Sequence, residues 1–305
     1  MRIAEAYQRG RPVFSFEFFP PRNEESLRQL HDTIAALRPL EPDFVSVTYP
    51  AIARPSDVAR RQLTIKLVTQ IKRDTGIEAM AHLTCSDHTA AQLGAILDRL
   101  TDAGVENVIA LRGDPPGRQA TFTPTAGGFA HGSEFAAFVR SRWSFCVAGA
   151  TYPEPHVESV EADQDLHYAK VKQDAGVEVL ITQLFFDPAV YIRFVDRARR
   201  NGVTIPIVPG VMPITSASQL SADGMFARCG ATVPESLRRR IEAAASEEAV
   251  QSIGIAAALG LCRVLLESGA PGIHFYTLNR SRSAYAVYQG LRAGLPATVG
   301  ARSRV

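Results

Sequence analysis

The sequence lacks the cysteine patterns, charge excess and apolar runs that mark several classes of protein. Its four cysteines, Cys85, Cys146, Cys229 and Cys262, stand far apart with no CxxC pair. This spacing argues against a zinc knuckle or a disulfide framework and favours a reduced, cytoplasmic setting. A net charge of +2 gives no reason to expect a nucleic acid or a membrane surface as a partner. No segment reaches the roughly 18 uninterrupted apolar residues of a membrane span, so we expect a soluble protein.

The common catalytic signatures are missing as well. No GxGxxG, GxxxxGK[ST], HExxH or GxSxG occurs, which removes the usual marks of dinucleotide-binding Rossmann units, P-loops, zinc proteases and serine hydrolases. The candidate metal ligands lack ligand spacing, so we expect no metal site; they are His82, His156, His274, Asp114 and Asp187. All four lysines fall in helix-like segments, which disfavours Schiff-base chemistry at a strand end.

What the sequence does contain is a regular alternation of strand-like and helix-like segments. Eight runs rich in β-branched and aromatic residues predict strands at 13–19, 44–49, 78–84, 107–111, 143–148, 179–186, 205–211 and 272–278. Helix-period segments lie between them, for example at 24–37, 56–74, 89–103, 160–175 and 188–201, and the gap at 216–269 has room for two or more helices. The pattern predicts an α/β fold, a (β/α)8 TIM barrel over residues 1–295 with extra helices before the last strand. An open doubly wound sheet is the alternative, although it lacks its glycine fingerprint. Residues 296–305 are expected to form a flexible tail.

The first predicted strand, FSFEFFPPR, carries one carboxylate among apolar residues. Because side chains alternate along a strand, Glu17 should point away from Phe14, Phe16 and Phe18, into the interior. A carboxylate withdrawn from water costs several kcal/mol unless it is paired or keeps its proton. Glu17 therefore has two interpretations at this point, a structural ion pair with Arg or Lys and an acid for catalysis.

Polar clusters follow each predicted strand, where a barrel builds its active site. They include Pro20-Pro21-Arg22, Thr48-Tyr49-Pro50, His82 with Thr84, Arg112-Gly113-Asp114, Tyr152 with His156, Gln183 with Asp187, and Tyr276 with Arg280. Any one of them could be a loop cap, but their convergence at one end of the barrel favours a site. Flat rings and oriented hydrogen-bond donors without a metal indicate a site for planar heterocycles, including a cofactor that carries out the difficult chemistry.

Eight motifs in this order resemble the bacterial type of the 5,10-methylenetetrahydrofolate reductase family: FSFEFFPPR, FVSVTYP, AHLTC, ALRGDPP, TYPEPH, TQLFFD, VPGVMPI and HFYTLNR. The resemblance implies a (β/α)8 barrel that binds FAD non-covalently. It implies reduction of 5,10-methylenetetrahydrofolate to 5-methyltetrahydrofolate by NADH or NADPH, in two half-reactions that pass through the flavin. It also implies a homo-oligomer.

The resemblance assigns roles to individual residues. Glu17 would protonate N10 of the folate, and Asp114 would lie near the flavin and the pterin. Residues matching the FAD-binding positions are Thr48, His82, Arg112, Gly113, Asp114, Tyr152, His156, Asp165 and Lys172, and Gln183, Gln219, Phe226 and Arg280 match folate-binding positions. Asp165 and Lys172, seven residues apart, should share one helix face. As structural alternatives, Asp114 could cap a turn, and Asp165 and Lys172 could belong to solvated ion pairs.

Two segments depart from the family pattern. QLSADGMFARCGA, which begins at Gln219, is longer than usual, so that either Met225 or Phe226 could supply the ring or side chain that packs on the ligand. DLHYAKVK carries Tyr168 and Val171 where relatives have polar groups. Two other functions compete with the reductase. One is a non-catalytic flavin- or folate-binding partner subunit, which would have no reason to bury an acid, and the other is a metal-independent barrel lyase, which would bind no flavin.

Overall fold

The structure is a computed structural model that describes residues 1–50, 56–114, 122–159, 161, 163–279 and 281–294. Its strands are β1 (Val13–Phe18), β2 (Phe44–Val47), β3 (Glu78–Thr84), β4 (Asn107–Leu111), β5 (Cys146–Thr151), β6 (Val179–Thr182), β7 (Ile207–Val208), β8 (Gly210–Val211) and β9 (Gly272–Tyr276). Its helices are α1 (Ile3–Ala6), α2 (Glu24–Leu37), α3 (Ser56–Thr75), α4 (Ala90–Asp102), α5 (Gly132–Arg142), α6 (Gln164–Asp174), α7 (Pro188–Arg200), α8 (Met225–Arg228), α9 (Glu235–Glu242), α10 (Glu247–Glu267) and α11 (Ser281–Arg292). The predicted tail at 296–305 and Arg280 lie outside the described residues.

The strands form one parallel sheet that closes into a barrel. Neighbours along the chain pair from β1 to β7, and β9 returns to pair with β1. The ring is completed at Pro209, which separates two short strands: β7 pairs with β6, while β8 pairs with β9. Proline has no N–H for the ladder, but its carbonyl accepts a hydrogen bond from the His274 N–H at 3.0 Å. The predicted (β/α)8 barrel is therefore confirmed, and α8, α9 and α10 are the extra helices before the last strand.

Side-chain caps explain where several helices begin. Asn23 accepts a hydrogen bond from the Ser26 N–H and starts α2, and Thr89 does the same for α4 through the Gln92 N–H. Asp187 caps α7, whose first residue is Pro188. Each of these helices therefore begins at a residue that satisfies backbone donors with no partner in the first turn.

The two faces of each strand pack into different layers. Phe14, Phe16 and Phe18 point outward and pack with residues of α2 and α11, including Tyr288. Inside the barrel, the starts of the strands enclose an apolar cluster that α1 covers with Ile3 and Ala6. Because this end is filled by side chains, only the opposite end, where the strands finish, has room for a site.

Several segments differ from the sequence-based expectation. The sixth strand was predicted at 179–186 but ends at Thr182. The fifth strand was predicted at 143–148 but runs from Cys146 to Thr151, because Ala148 to Thr151 pair with β6 despite the weak strand preference of glycine and alanine. Another is α10, a 21-residue helix whose length and mean hydropathy of 1.8 would also suit a membrane span. One third of the 18-residue apolar stretch of α10 is buried. The helix packs beside α11, α9 and α7.

Candidate active site

A cavity of about 590 Å³ opens at the end of the barrel where the strands finish. Its volume lies within the range of small-molecule sites. Eleven of the predicted site residues line it: Glu17, Thr48, His82, Arg112, Gly113, Asp114, Tyr152, His156, Asp165, Lys172 and Gln183. The convergence expected from the strand ends therefore occurs in the folded chain.

Glu17 lies at the inner wall of this cavity, on the inward face of β1. Its side chain is 9% exposed, and its Oε2 lies 3.4 Å from His82 Nε2 and 3.5 Å from His274 Nε2. Among the described residues, no Arg or Lys lies within ion-pairing distance of it. The buried carboxyl group thus faces two imidazoles and the cavity, and its partners among the described residues are not the Arg or Lys of a structural ion pair.

The two histidines around Glu17 have different surroundings. Burial lowers the pKa of His82 to about 4, so this ring is neutral at physiological pH, and its buried Nε2 makes no well-directed hydrogen bond within the described residues. His274, on β9, is fully buried and pairs through Nδ1 with Ser15 Oγ at 2.7 Å. Sequence reasoning considered His274 only as a metal ligand. The register of Ser15 opposite His274 could have suggested the pair, but only once the pairing of β1 with β9 was known.

Gly113 brings the backbone close to the cavity wall. Its φ is +85°, and a Cβ at this position would lie 2.4 Å from Ser86 Oγ and 2.8 Å from Thr84 Cβ. Only glycine fits here without displacing β3. Asp114 follows at the rim with an exposed side chain, so its carboxylate is directed to the mouth of the cavity and remains in water.

A second group of predicted residues forms the wall supplied by β5 and α6. Lys172 donates to the Ala150 carbonyl at 2.7 Å and lies 5.7 Å from the centre of the Tyr152 ring. Burial lowers the pKa of Lys172 to about 8, although Asp165 acts in the opposite direction. The ring of His156 packs edge-on against Tyr152 at 4.6 Å. Asp165 and Lys172 both face the cavity, as their spacing predicted.

Two predicted folate-binding residues, Gln219 and Phe226, do not line this cavity. Gln219 lies outside the main cavity, and its Oε1 accepts hydrogen bonds from the Thr215 and Ser216 N–H groups at 2.7 and 3.0 Å. Phe226 is buried against Phe186 with ring centres 4.8 Å apart, whereas its neighbour Met225 lines the cavity. Arg280 lies outside the described residues.

The donor set suits a planar anionic ligand better than a metal ion. The described part of the wall offers the half-buried ammonium of Lys172, the guanidinium of Arg112, aromatic faces and the backbone of Gly113, which a ligand can approach closely. Within the described ranges, no three His, Cys, Asp or Glu side chains are grouped to hold an ion. Tyr168, one of the departures from the family pattern, also lines the cavity and stacks on His131 at 5.9 Å.

The matching family model and the curated relatives indicate the same family. The family model for methylenetetrahydrofolate reductase matches residues 2–292. The probable methylenetetrahydrofolate reductase (NADH) of Oryza sativa subsp. japonica is 34% identical over 302 residues, covering 95% of this chain and 50% of that protein. The chain thus spans about half the length of the plant relatives it matches. The 5,10-methylenetetrahydrofolate reductase of Escherichia coli (strain K12) is 35% identical over 290 residues, covering 94% of this chain and 93% of that protein.

A solved structure supports the architecture. A protein from Clostridium thermocellum, described as binding two copies of 5-methyl-5,6,7,8-tetrahydrofolic acid, superposes with a TM-score of 0.64 over 96% of this chain and 98% of that one. The two chains share 15% identity, so this likeness shows the fold alone.

Proposed function

The chain belongs to the methylenetetrahydrofolate reductase family, and we propose that it reduces 5,10-methylenetetrahydrofolate to 5-methyltetrahydrofolate with FAD as a non-covalent cofactor. NADH or NADPH would supply the electrons, and the name of the rice relative favours NADH. The nicotinamide and the folate would occupy the same cavity in turn, which would make the reaction ping-pong. The observation that carries this proposal is Glu17, a buried carboxyl group at the wall of a cavity with no cation beside it among the described residues.

The cavity walls support FAD as the resident group. Lys172 and Arg112 offer positive charge to a pyrophosphate, Tyr152 and His156 offer ring faces, and Gly113 permits close approach of the backbone. When bound, FAD supplies the two-electron chemistry that no side chain of the protein provides. The residues of the protein then have to bind and orient the ligands, exclude water and deliver a proton.

Glu17 is proposed to deliver the proton to N10 of the folate, so that the five-membered ring can open. Burial keeps His82 neutral, so this ring places no positive charge beside the carboxyl group. His274 can serve either protonation state of Glu17. When His274 Nδ1–H donates to Ser15, the lone pair on Nε2 can accept from the protonated acid, and when Ser15 donates to Nδ1, the Nε2–H faces the carboxylate. Ser15 and His274 therefore support an acid that must give up its proton and recover it in each cycle.

The remaining polar residues would orient the folate. Asp114 at the rim and Gln183 in the wall both face the cavity and can hydrogen-bond the edge of the pterin. For Gln219, Phe226 and Arg280 the folate-binding role rests on the family resemblance alone. Met225 is the better candidate for packing on the ligand, because its side chain lines the cavity.

The location and assembly are also proposals. The four cysteines are free thiols, which fits the reduced cytoplasm. The resemblance implies a homo-oligomer, and light scattering on the purified protein would test it.

The decisive experiment follows the two half-reactions separately under anaerobic conditions. The purified protein should be yellow, NADH or NADPH should bleach it, and methylenetetrahydrofolate should restore the colour. Glu17→Gln should leave the bleaching intact and slow the recovery by about 10²- to 10⁴-fold, the usual contribution of general acid catalysis.

Glu78→Gln is the matched control, because Glu78 is a buried strand carboxylate at the opposite end of the barrel. It should leave the rate of colour recovery near that of the wild type. A colourless protein that takes up no added FAD would refute the reductase. A yellow protein that neither NADH nor NADPH bleaches would favour the non-catalytic binding subunit instead.

A further inference from the structure

The guanidinium of Arg112 is held in place on two sides at the mouth of the cavity. Its Nη1 and Nη2 donate to Glu158 Oε2 and Oε1, both at 2.7 Å, which is a bidentate pair. The ring of Phe122 lies on the guanidinium, with its centre 4.9 Å from Cζ. The pair raises the pKa of Arg112 and lowers that of Glu158, so both groups are charged at any physiological pH.

The loop that carries Glu158 is itself anchored to the cavity wall. Asp165 Oδ2 accepts from the His156 N–H and from Ser159 Oγ, both at 2.9 Å. The backbone N–H of Glu158 donates to His156 Nδ1 at 3.2 Å. This bond leaves the proton of the neutral imidazole on Nε2. One residue therefore fixes two cavity groups, Arg112 through its side chain and His156 through its backbone.

We propose that Glu158 is a positioning residue for the anionic part of the dinucleotide cofactor: it holds Arg112 so that the remaining N–H groups of the guanidinium face the pyrophosphate. This inference rests on the proposed FAD site. A guanidinium has five N–H donors, and Glu158 uses two of them. Within the described residues the only other partner is the Gly113 carbonyl, 3.4 Å from Nε. Donors therefore remain for a ligand.

Two effects of Glu158 on ligand binding oppose each other. Its negative charge offsets part of the attraction between Arg112 and a phosphate, whereas its two hydrogen bonds remove the rotamer freedom that Arg112 would otherwise lose on binding. The pair is partly solvated, with side-chain exposures of 25% and 42%, so water screens the charge effect. Positioning does not depend on screening, and we expect it to dominate.

A double-mutant cycle on the affinity for FAD tests the proposal. FAD is titrated into flavin-free protein and its dissociation constant is followed by flavin fluorescence for wild type, Glu158→Ala, Glu158→Gln, Arg112→Gln and the Arg112→Gln/Glu158→Ala pair. Glu158→Ala should raise the dissociation constant about three- to tenfold, as expected for one freed side chain. Glu158→Gln, which keeps one acceptor, should raise it less. In the Arg112→Gln background, Glu158→Ala should change it less than about twofold.

Glu161→Ala is the matched control, since it removes an exposed carboxylate from the same loop and should leave the dissociation constant unchanged. An unchanged or lower dissociation constant in Glu158→Ala would overturn the proposal, the lower value because Glu158 would then compete with the ligand. If Glu158→Ala raised the dissociation constant by the same factor in the Arg112→Gln background as in the wild type, the proposal would also be overturned. Glu158 would then act on the loop and not through Arg112. Wild type that binds no FAD would refute the proposed function itself.

Discussion

Replacing Lys172 by methionine should make the flavin-free protein more stable while weakening its affinity for FAD. Methionine keeps the length of the side chain and removes the charge. The lowering of the Lys172 pKa from 10.5 to about 8 corresponds to at most about 3 kcal/mol of disfavoured charge at neutral pH. The lost hydrogen bond to the Ala150 carbonyl offsets about half of this. We expect a net gain of about 1–2 kcal/mol at pH 7.

The gain should depend on pH in a defined direction. The folded state lowers the pKa of Lys172, so the unfolded chain binds more protons between pH 8 and 10.5, and the stability of the wild type rises with pH across that window. The stability gained by Lys172→Met should therefore have its full size below pH 8 and become smaller above pH 8. Urea unfolding of the flavin-free wild type and variant at pH 7 and near pH 9.5 measures the stability difference at each pH. Titration with FAD measures the loss of affinity for the cofactor.

Lys170→Met is the matched control on the same helix. Lys170 pairs with Asp174 at the surface, so its replacement should change the stability by less than about 0.5 kcal/mol at either pH. A Lys172→Met protein that is less stable than wild type at pH 7 would refute the reasoning. So would a stability difference of the same size at both pH values.

Two further pairs of variants test the packing around the site. Gly254→Ala should lower the melting temperature clearly, because its Cβ would lie 1.9 Å from the Ile214 carbonyl oxygen. A Cβ at Gly260, on the same helix, meets nothing within 4 Å, so Gly260→Ala should stabilise the protein by up to about 1 kcal/mol. Equal effects of the two variants on stability would contradict the close approach of Gly254 to Ile214. Phe226→Ala removes a core side chain and should lower the free energy of unfolding, measured with urea, by about 3–5 kcal/mol. Met225→Ala should lower it less and should weaken folate binding in a titration. If Phe226→Ala instead weakened folate binding and Met225→Ala lowered the stability more, Phe226 would be the residue at the ligand.

Strand periodicity was enough to predict the environment of Glu17. Alternation along FSFEFFPPR put Glu17 opposite the three phenylalanines, and the structure confirms this because a strand has only two faces. The fifth strand was less predictable, since Gly149 and Ala150 join it only through their pairing with β6. The strand preference of a short segment is a local property, so it cannot predict a pairing with Leu180 and Ile181, which lie 31 positions further along the chain.

The sequence by itself determined the barrel, the end at which the cavity opens and eleven of the residues that line it, because strand spacing and strand ends are local properties of the chain. The tertiary structure decided which of those residues meet. It placed His274 and Ser15 beside Glu17, turned Met225 to the cavity and Phe226 into the core, and closed Glu158 onto Arg112. These contacts join loops and strands far apart in the chain, so they are fixed by packing and burial in the folded protein and not by any local pattern.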